Sequence, residues 1–266
     1  MTTSSTAPDA PAPPKTRPRW PYVLAAAVFW LAVWQIVAMV VGQEIIIASP
    51  WQVVKVLAHL VATPAFWATA WRTAWHIGAG FLLAVILGTV LAWAASLNHW
   101  VDALISPPIR AMRAVPVVSF IILLLIWGGS SSLALVVAAL MVIPAVFDAI
   151  AEGLRRVPAE LVEMAQVFVV GRARVLRAIT APALVPYLLA ACKTGIGLAW
   201  KAGVSAEVIG LPTGTIGERL SMAKLYLATG DLFAWTVVIV LLGLAAERLV
   251  VWGLARVERG FQGAWL

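Results

Sequence analysis

The chain has 266 residues, 62% of them hydrophobic and 12% charged, with 14 tryptophans and a formal net charge of +7. A soluble globular protein cannot hide that much apolar surface, so the composition excludes a water-soluble domain and points to an integral membrane protein. The single cysteine, Cys192, excludes an internal disulfide and reads as a small core residue of a membrane helix. His59, His76 and His99 lack the close spacing of a metal site and are expected to be interfacial side chains, so no metal or cofactor is assigned to this chain.

In chain order, residues 1–20 are rich in Thr, Ser, Ala and Pro and end on Lys15, Arg17 and Arg19. A cleavable signal peptide has this flavour. The apolar run that follows is long for a signal sequence and no A-x-A site succeeds it, so a disordered cytoplasmic tail and an uncleaved first span are expected. A membrane-spanning body is expected over residues 21–260. Pro21 to Gln43, Ile77 to Asn98 and Ala114 to Phe147 contain no Asp, Glu, Lys or Arg, and about 20 such residues suffice to cross a bilayer as a helix. Six spans are expected, near 21–41, 74–96, 105–128, 132–152, 179–201 and 230–254. Pro107, Pro108 and Pro116 are expected to break the third, with Arg110 and Arg113 snorkelling to the interface, and Gly128 to Ser132 reads as a tight turn.

Two connections exceed a turn. The one between the first two spans holds Trp51, Trp67, Trp71 and Trp75, suited to short helices along the outer interface. The one between the fifth and sixth carries Gly210, Pro212, Gly214 and Gly217, expected as an unwound or re-entrant segment. With the N-terminus inside, thirteen Lys and Arg fall on the cytoplasmic side and four outside. Both termini are therefore expected in the cytoplasm. The positive charge is a topology signal, and no nucleic-acid partner is needed to explain it.

The connection between the fourth and fifth spans, about 153–178, is the most charged helical stretch. Pro158 can open a helix with Glu160 and Glu163 near its positive end, and Arg172 to Ile179 forms a second helix-compatible run before Pro182. Two amphipathic helices protruding from a bilayer suit docking to another protein; a loop that merely fixes topology is the plainer alternative. Asp148 and Glu152, at i and i+4, share a helix face on which Arg155 or Arg156 can pair with them.

"EMAQVFVVGRARVLRAITAP", from Glu163 to Pro182, resembles the cytoplasmic loop signature of prokaryotic ABC importer permeases: a Glu-Ala-Ala triplet, a Gly four residues after its last Ala, then Ile-x-Leu-Pro. Glu163 takes the Glu position, Ala165 the second Ala, Ile179 the Ile and Pro182 the Pro. Met164 replaces an Ala, Val169 stands where the Gly belongs and Ala181 replaces the Leu. The Gly permits positive φ between two helices, a conformation Val resists; Gly171 can host a shifted turn, and a changed loop shape is expected. "ASPWQVV", "GFLLAVILGTVLAW", "RAVPVVSFIILLLIWGG" and "GIGLAWKAGVSAEVIG" extend the resemblance over roughly residues 45–255, to the nitrate, sulfonate and taurine branch.

The resemblance implies an all-α membrane protein of six transmembrane helices with the type I ABC importer permease fold, in a bacterial cytoplasmic (inner) membrane. It further implies a homodimer with a second copy of itself, two ABC ATPase subunits and an extracytoplasmic substrate-binding protein. The loop, with Glu160, Glu163, Ala165, Gly171, Arg172, Ile179 and Pro182, would be the coupling helix. No G-x-x-x-x-G-K-[ST] motif occurs in the chain, so ATP and Mg are expected to be used by the partner ATPase and not by this chain.

Lys193 and Lys201 lie eight positions apart in the fifth span, on roughly one face. Ionisable residues at membrane depth line a path or find a partner. Lys201 either faces the translocation path and attracts a small anion, or snorkels, or pairs with Glu207 as a structural lock. The substrate expected first is a nitrate-, sulfonate- or taurine-like anion, and second a heterocyclic vitamin precursor. A secondary transporter, which should show inverted repeats, and a non-transporting scaffold are the rivals; both predict no stable complex with an ATPase.

Overall fold

The computed structural model describes residues 20–263, all of the ordered elements being helices. The expected tail, including Lys15, Arg17 and Arg19, lies outside the described residues. In chain order the helices are α1 (Trp20–Val41), α2 (Pro50–Val61), α3 (Pro64–Leu97), α4 (His99–Ala114), α5 (Val117–Gly128), α6 (Leu133–Arg155), α7 (Ala159–Val167), α8 (Arg172–Val175), a π-helical turn (Leu176–Thr180), α9 (Ala181–Gly210), α10 (Ile216–Leu225) and α11 (Thr229–Gly263).

Local chemistry sets several of these starts. Ser49 and Thr63 accept from the amides of Gln52 and Phe66, with Pro50 and Pro64 in the first turn, so α2 and α3 begin where the freed amides have partners. Asn98 caps α4 through Trp100 N at 3.0 Å, and Thr215 caps α10 through Glu218 N at 3.3 Å. Because Pro64 starts α3, Trp67, Trp71 and Trp75 belong to that long helix and not to separate interfacial pieces; only α2 is a short helix in this connection. Their rings are exposed, with Trp71 and Trp75 stacked at 6.3 Å between centroids.

Among the described residues five helices are long and apolar enough to cross a membrane, and the sixth expected span is the bent pair α4 and α5. The bend of 107° lies at Val115–Pro116. Val115, before a proline, is extended at φ −81° and ψ 125°, the region into which a following proline ring pushes its neighbour. Pro107 and Pro108, expected to interrupt the span, instead sit inside continuous α4. α5 has 12 residues, roughly 18 Å of helix, so it cannot cross a bilayer alone.

The core lies where α3, α6 and α9 pack together. α6 is the most enclosed candidate span, 61% of its apolar window being buried against 6% for α1. Val137, Val142 and Val146 of α6 are inaccessible, as are Ile77 and Ala84 of α3 and Ala199 of α9. Close approach depends on missing side chains: a Cβ on Gly80 of α3 would stand 2.3 Å from the carbonyl oxygen of Leu135 in α6. Among its described residues α1 buries only Ala38, and it is held by Trp34, whose Nε1 donates to Ala48 O at 3.1 Å and whose ring stacks on Phe233 of α11.

Candidate functional site

Three features stand apart from the packed bundle: the α7–α8 elbow at one end, a polar node at the other, and one polar face of α9 between them.

The elbow begins after α6, where Glu152 accepts from Arg155 Nη2 and Arg156 Nε, both at 2.8 Å. Asp148 does not join that pair. It forms an ion pair with Arg113 from α4, which also donates to Pro144 O at 3.0 Å, so the break at Val115–Pro116 is tied back to α6. α7 follows and buries one residue, Ala165. Glu160 and Glu163 are exposed, and Leu161, Met164 and Phe168 lie exposed at i, i+3 and i+7, with Val167 and Val169 beside them.

The end of α7 is a Schellman turn. Phe168 N donates to Met164 O, Val169 N to Gln166 O at 3.0 Å and Val170 N to Ala165 O at 2.8 Å. The position that needs the left-handed conformation is Val169, at φ 54°. The expected shift of the turn to Gly171 does not occur: Gly171 is extended at φ −60° and ψ 142° and caps α8. The three hydrogen bonds hold a β-branched residue where glycine would be unstrained. Arg172 and Arg174 are exposed on α8.

The second run of the loop is not a free-standing helix. α8, the π turn and α9 are continuous from Arg172 to Gly210, 39 residues in all, so the fifth span starts earlier and ends later than 179–201. Ile179 sits half-buried within the π turn, and Pro182 follows inside the continuous helix, its missing N–H falling next to the point where the ladder widens to five residues.

On α9, Cys192, Gly195, Ile196, Ala199, Trp200 and Gly203 are buried towards the bundle. The opposite side exposes Lys193, Thr194, Lys201 and Ser205. Thr194 and Ser205 satisfy their hydroxyls on backbone carbonyls one turn back, Ser205 Oγ donating to Lys201 O at 2.8 Å. Two ammonium groups along one helix at membrane depth are costly against lipid, so this face meets protein or water.

Lys201 and Glu207 are not brought together. Glu207 lies inside α9, not in the glycine-rich segment, and is inaccessible to solvent. Thr73 Oγ1 of α3 donates to Glu207 Oε2 at 2.9 Å, Gly217 N donates to the same oxygen at 3.3 Å, and Ile216 N donates to Thr73 Oγ1 at 3.0 Å. This node ties α3, α9 and the start of α10 together. A Cβ on Gly217 would stand 2.3 Å from Glu207 Cβ, so only glycine admits the approach. Between Gly210 and Ile216 the chain is non-helical for five residues, turning through Leu211 at φ 51° and Gly214 at φ 75°, and α10 then resumes; the expected unwound stretch is limited to this loop. The pairings of Thr73, of Arg113, expected only to snorkel, and of Arg72, whose Nη1 donates to Thr213 O at 2.8 Å, carried no local sequence signal, because their partners are 31 to 143 residues distant. The apolar spacing of Leu161, Met164 and Phe168 was a readable signal for the exposed patch.

The helical membrane bundle with a broken third span and a protruding helical elbow defines a permease of the type I ABC importer fold. A solved structure of an amino acid ABC transporter superposes with a TM-score of 0.59 over 76% of this chain and 97% of that one, at 18% identity. The chain belongs to the family described as binding-protein-dependent transport system inner membrane component, which it matches over residues 80–259. It is similar to the nitrate import permease protein NrtB of Synechococcus elongatus, 26% identical over 254 residues and 90% of each chain. It is also similar to the putative aliphatic sulfonates transport permease protein SsuC of Bacillus subtilis, 23% identical over 242 residues, 90% of this chain and 87% of the other.

Proposed function

We propose that the chain is the membrane-spanning subunit of an ATP-driven importer, working as a dimer of two copies with two ABC ATPase subunits and an extracytoplasmic binding protein. Both termini and the elbow lie on the cytoplasmic side, in keeping with the excess of arginine there. The observation that carries the reading is the elbow itself. An amphipathic helix that buries only Ala165, yet exposes Leu161, Met164 and Phe168 beside Glu160, Glu163 and Arg172, is a surface built for a protein partner. The ATPase, using ATP and Mg, would grip this helix, and closure of the ATPase pair would move it. Ala165 seats the helix on the bundle, Gly171 opens α8, and Ile179 and Pro182 set the angle at which the elbow enters α9.

The solute is a small anion of the nitrate or sulfonate kind. The named substrates of the two relatives support this, as does the face of α9 carrying Lys193 and Lys201 without a carboxylate partner among the described residues. Those lysines face the path between two copies, while Glu207 acts from within the wall by holding the loop at its mouth.

The test is a pull-down of the detergent-solubilised chain from its native membrane, followed by a ligand panel on the co-purifying binding protein. An ATPase should come down with the wild-type chain and be lost with Glu163→Lys or Phe168→Asp, both exposed and therefore harmless to the fold. Nitrate or a sulfonate should stabilise the binding protein; stabilisation by a heterocycle instead would keep the importer and replace its substrate. Recovery of no ATPase with the wild-type chain would refute the reading.

A further inference from the structure

A second polar cleft lies at the end of the bundle opposite the elbow, outside the α9 face. Its wall is formed by Arg72 and His76 of α3, Ser130 and Ser131 of the α5–α6 turn, and Pro212 and Thr213 of the α9–α10 loop, around a cavity of about 410 Å³. Three segments distant in sequence thus bring one guanidinium, one imidazole and three hydroxyls to one place. Arg72 spends Nη1 on Thr213 O, leaving the other edge of its fork for a further acceptor. His76 lines the same wall, its Nδ1 shielded from solvent and without a hydrogen-bond partner in the protein, so the imidazole meets the cleft by its other edge. The serine hydroxyls make no hydrogen bond to protein among the described residues.

No carboxylate lines this cleft. Glu218 Oε2 accepts from the Gly214 amide at 2.6 Å, and Glu207 is committed to Thr73 and Gly217 in the node beneath. Its lining therefore offers donors and positive charge without a competing anion, and a planar or tetrahedral oxyanion of a few atoms matches that set: two oxygens for the guanidinium edge, others for the hydroxyls and the imidazole. We infer that Arg72, His76, Ser130 and Ser131 form a binding site for a small oxyanion at the outer mouth of the permease. The chemistry of the site stands on these residues alone; its placement at the outer mouth rests on the orientation given under the proposed function. There it would receive the released anion before α9 does, holding it beside the loop that Glu207 anchors. An interfacial cation next to Trp71 and Trp75 also remains at a fixed depth, since those rings anchor the same stretch of α3.

The inference is tested by calorimetric titration of the full chain in lipid nanodiscs, without binding protein, with sodium nitrate and with sodium methanesulfonate at constant ionic strength. Saturable binding is expected, weakened at least about tenfold by Arg72→Gln, the usual consequence of removing a charge-assisted hydrogen bond. Because Arg72 also holds Thr213, the double variant Ser130→Ala, Ser131→Ala is measured beside it; it breaks no contact within the protein and should weaken binding severalfold. Lys224→Gln removes the same charge from the adjoining α10 and should leave the titration unchanged. No saturable binding, or equal weakening by Lys224→Gln and Arg72→Gln, overturns the inference, the second because general attraction would then explain the signal. Undiminished affinity in both cleft variants does so too. Recovery of the ATPase is scored separately on the same preparations, so failure of the cleft and failure of the importer reading give different results.

Discussion

Val169→Gly is the sharpest perturbation of the elbow, because it restores the residue that a left-handed position favours while removing almost nothing. The Val169 side chain is 89% exposed, so no packing is lost. Its backbone at φ 54° carries a cost of about 1–2 kcal/mol for an L-residue in the left-handed region. Glycine avoids that cost but gives up about 0.5–1 kcal/mol of backbone entropy on folding. At the midpoints of these ranges the difference favours the folded turn by about 0.75 kcal/mol, a reduction of roughly two- to fivefold in how often it opens, from the relation of roughly 1.4 kcal/mol to a factor of ten. The amide of Val170, which closes the turn onto Ala165 O, reports that opening directly. Hydrogen exchange followed by mass spectrometry on the chain in nanodiscs should show this amide exchanging two to five times more slowly in Val169→Gly than in wild type. Val169→Ala keeps a Cβ and should gain little. Exchange in Val169→Gly that is as fast as wild type, or faster, would refute the assignment of strain to this position.

Thr73→Val removes the hydroxyl that serves both Glu207 and Ile216 N; Ile216 N is left unpaired and Glu207 Oε2 keeps only the Gly217 amide, so a loss of about 1–3 kcal/mol is expected, read as a fall in Tm in detergent, whereas Glu207→Gln keeps the acceptor oxygen with both its donors and should cost less. Gly80→Ala should cost about 1–3 kcal/mol by forcing α3 from α6, while Gly78→Ala, with no atom within 4 Å of its Cβ, should be neutral or mildly stabilising; equal melting of the two would sink the close-packing argument. Arg113→Ala should change stability by less than about 1 kcal/mol, since both members of its ion pair with Asp148 are about half exposed; a larger drop in Tm would mean that the pair holds the α4–α5 bend.

The apolar pattern was sufficient to locate α1 and α6 within a few residues and the start of α11, because a membrane helix needs only length and low charge to declare itself; α11 runs nine residues past the expected 254. Prolines were a poorer guide. Pro116 marks the bend, while Pro107 and Pro108 ride inside α4, and nothing in the local sequence distinguishes a proline carried by a helix from one that ends it. The ends of α9 were missed for a related reason: the charges of Arg172, Arg174 and Arg177 argue for a boundary by hydropathy, yet they do not interrupt helical hydrogen bonding. The elbow residues were legible from Glu163 to Pro182 because the motif is local. Its turn was placed wrongly at Gly171, since a ladder of three backbone bonds outweighs the preference of a single residue. The Glu207 node was illegible, its partners being contributed by α3 and by the start of α10.

The unbroken run from Arg172 to Gly210 gives the molecule a single stiff rod about 58 Å long, taking 1.5 Å per residue over 39 residues. One tip carries the exposed arginines of the elbow and the other ends three residues past Glu207. A rod pushed at one tip pivots where it is held most tightly, and α9 is held along its middle by α3 and α6. A tilt of about 5° around that middle displaces each tip by roughly 2.5 Å in opposite directions, by the same rise per residue. Glycine contacts as close as that of Gly217 against Glu207 leave no slack to absorb such a shift, so α10 and the loop before it must travel with the rod. Its compliance lies near the elbow tip, at the π turn of Leu176–Thr180 and at Pro186 inside α9, so on the proposed coupling role this short stretch is the fuse of the lever: stiffening it would sharpen the stroke, and loosening it would uncouple the two ends.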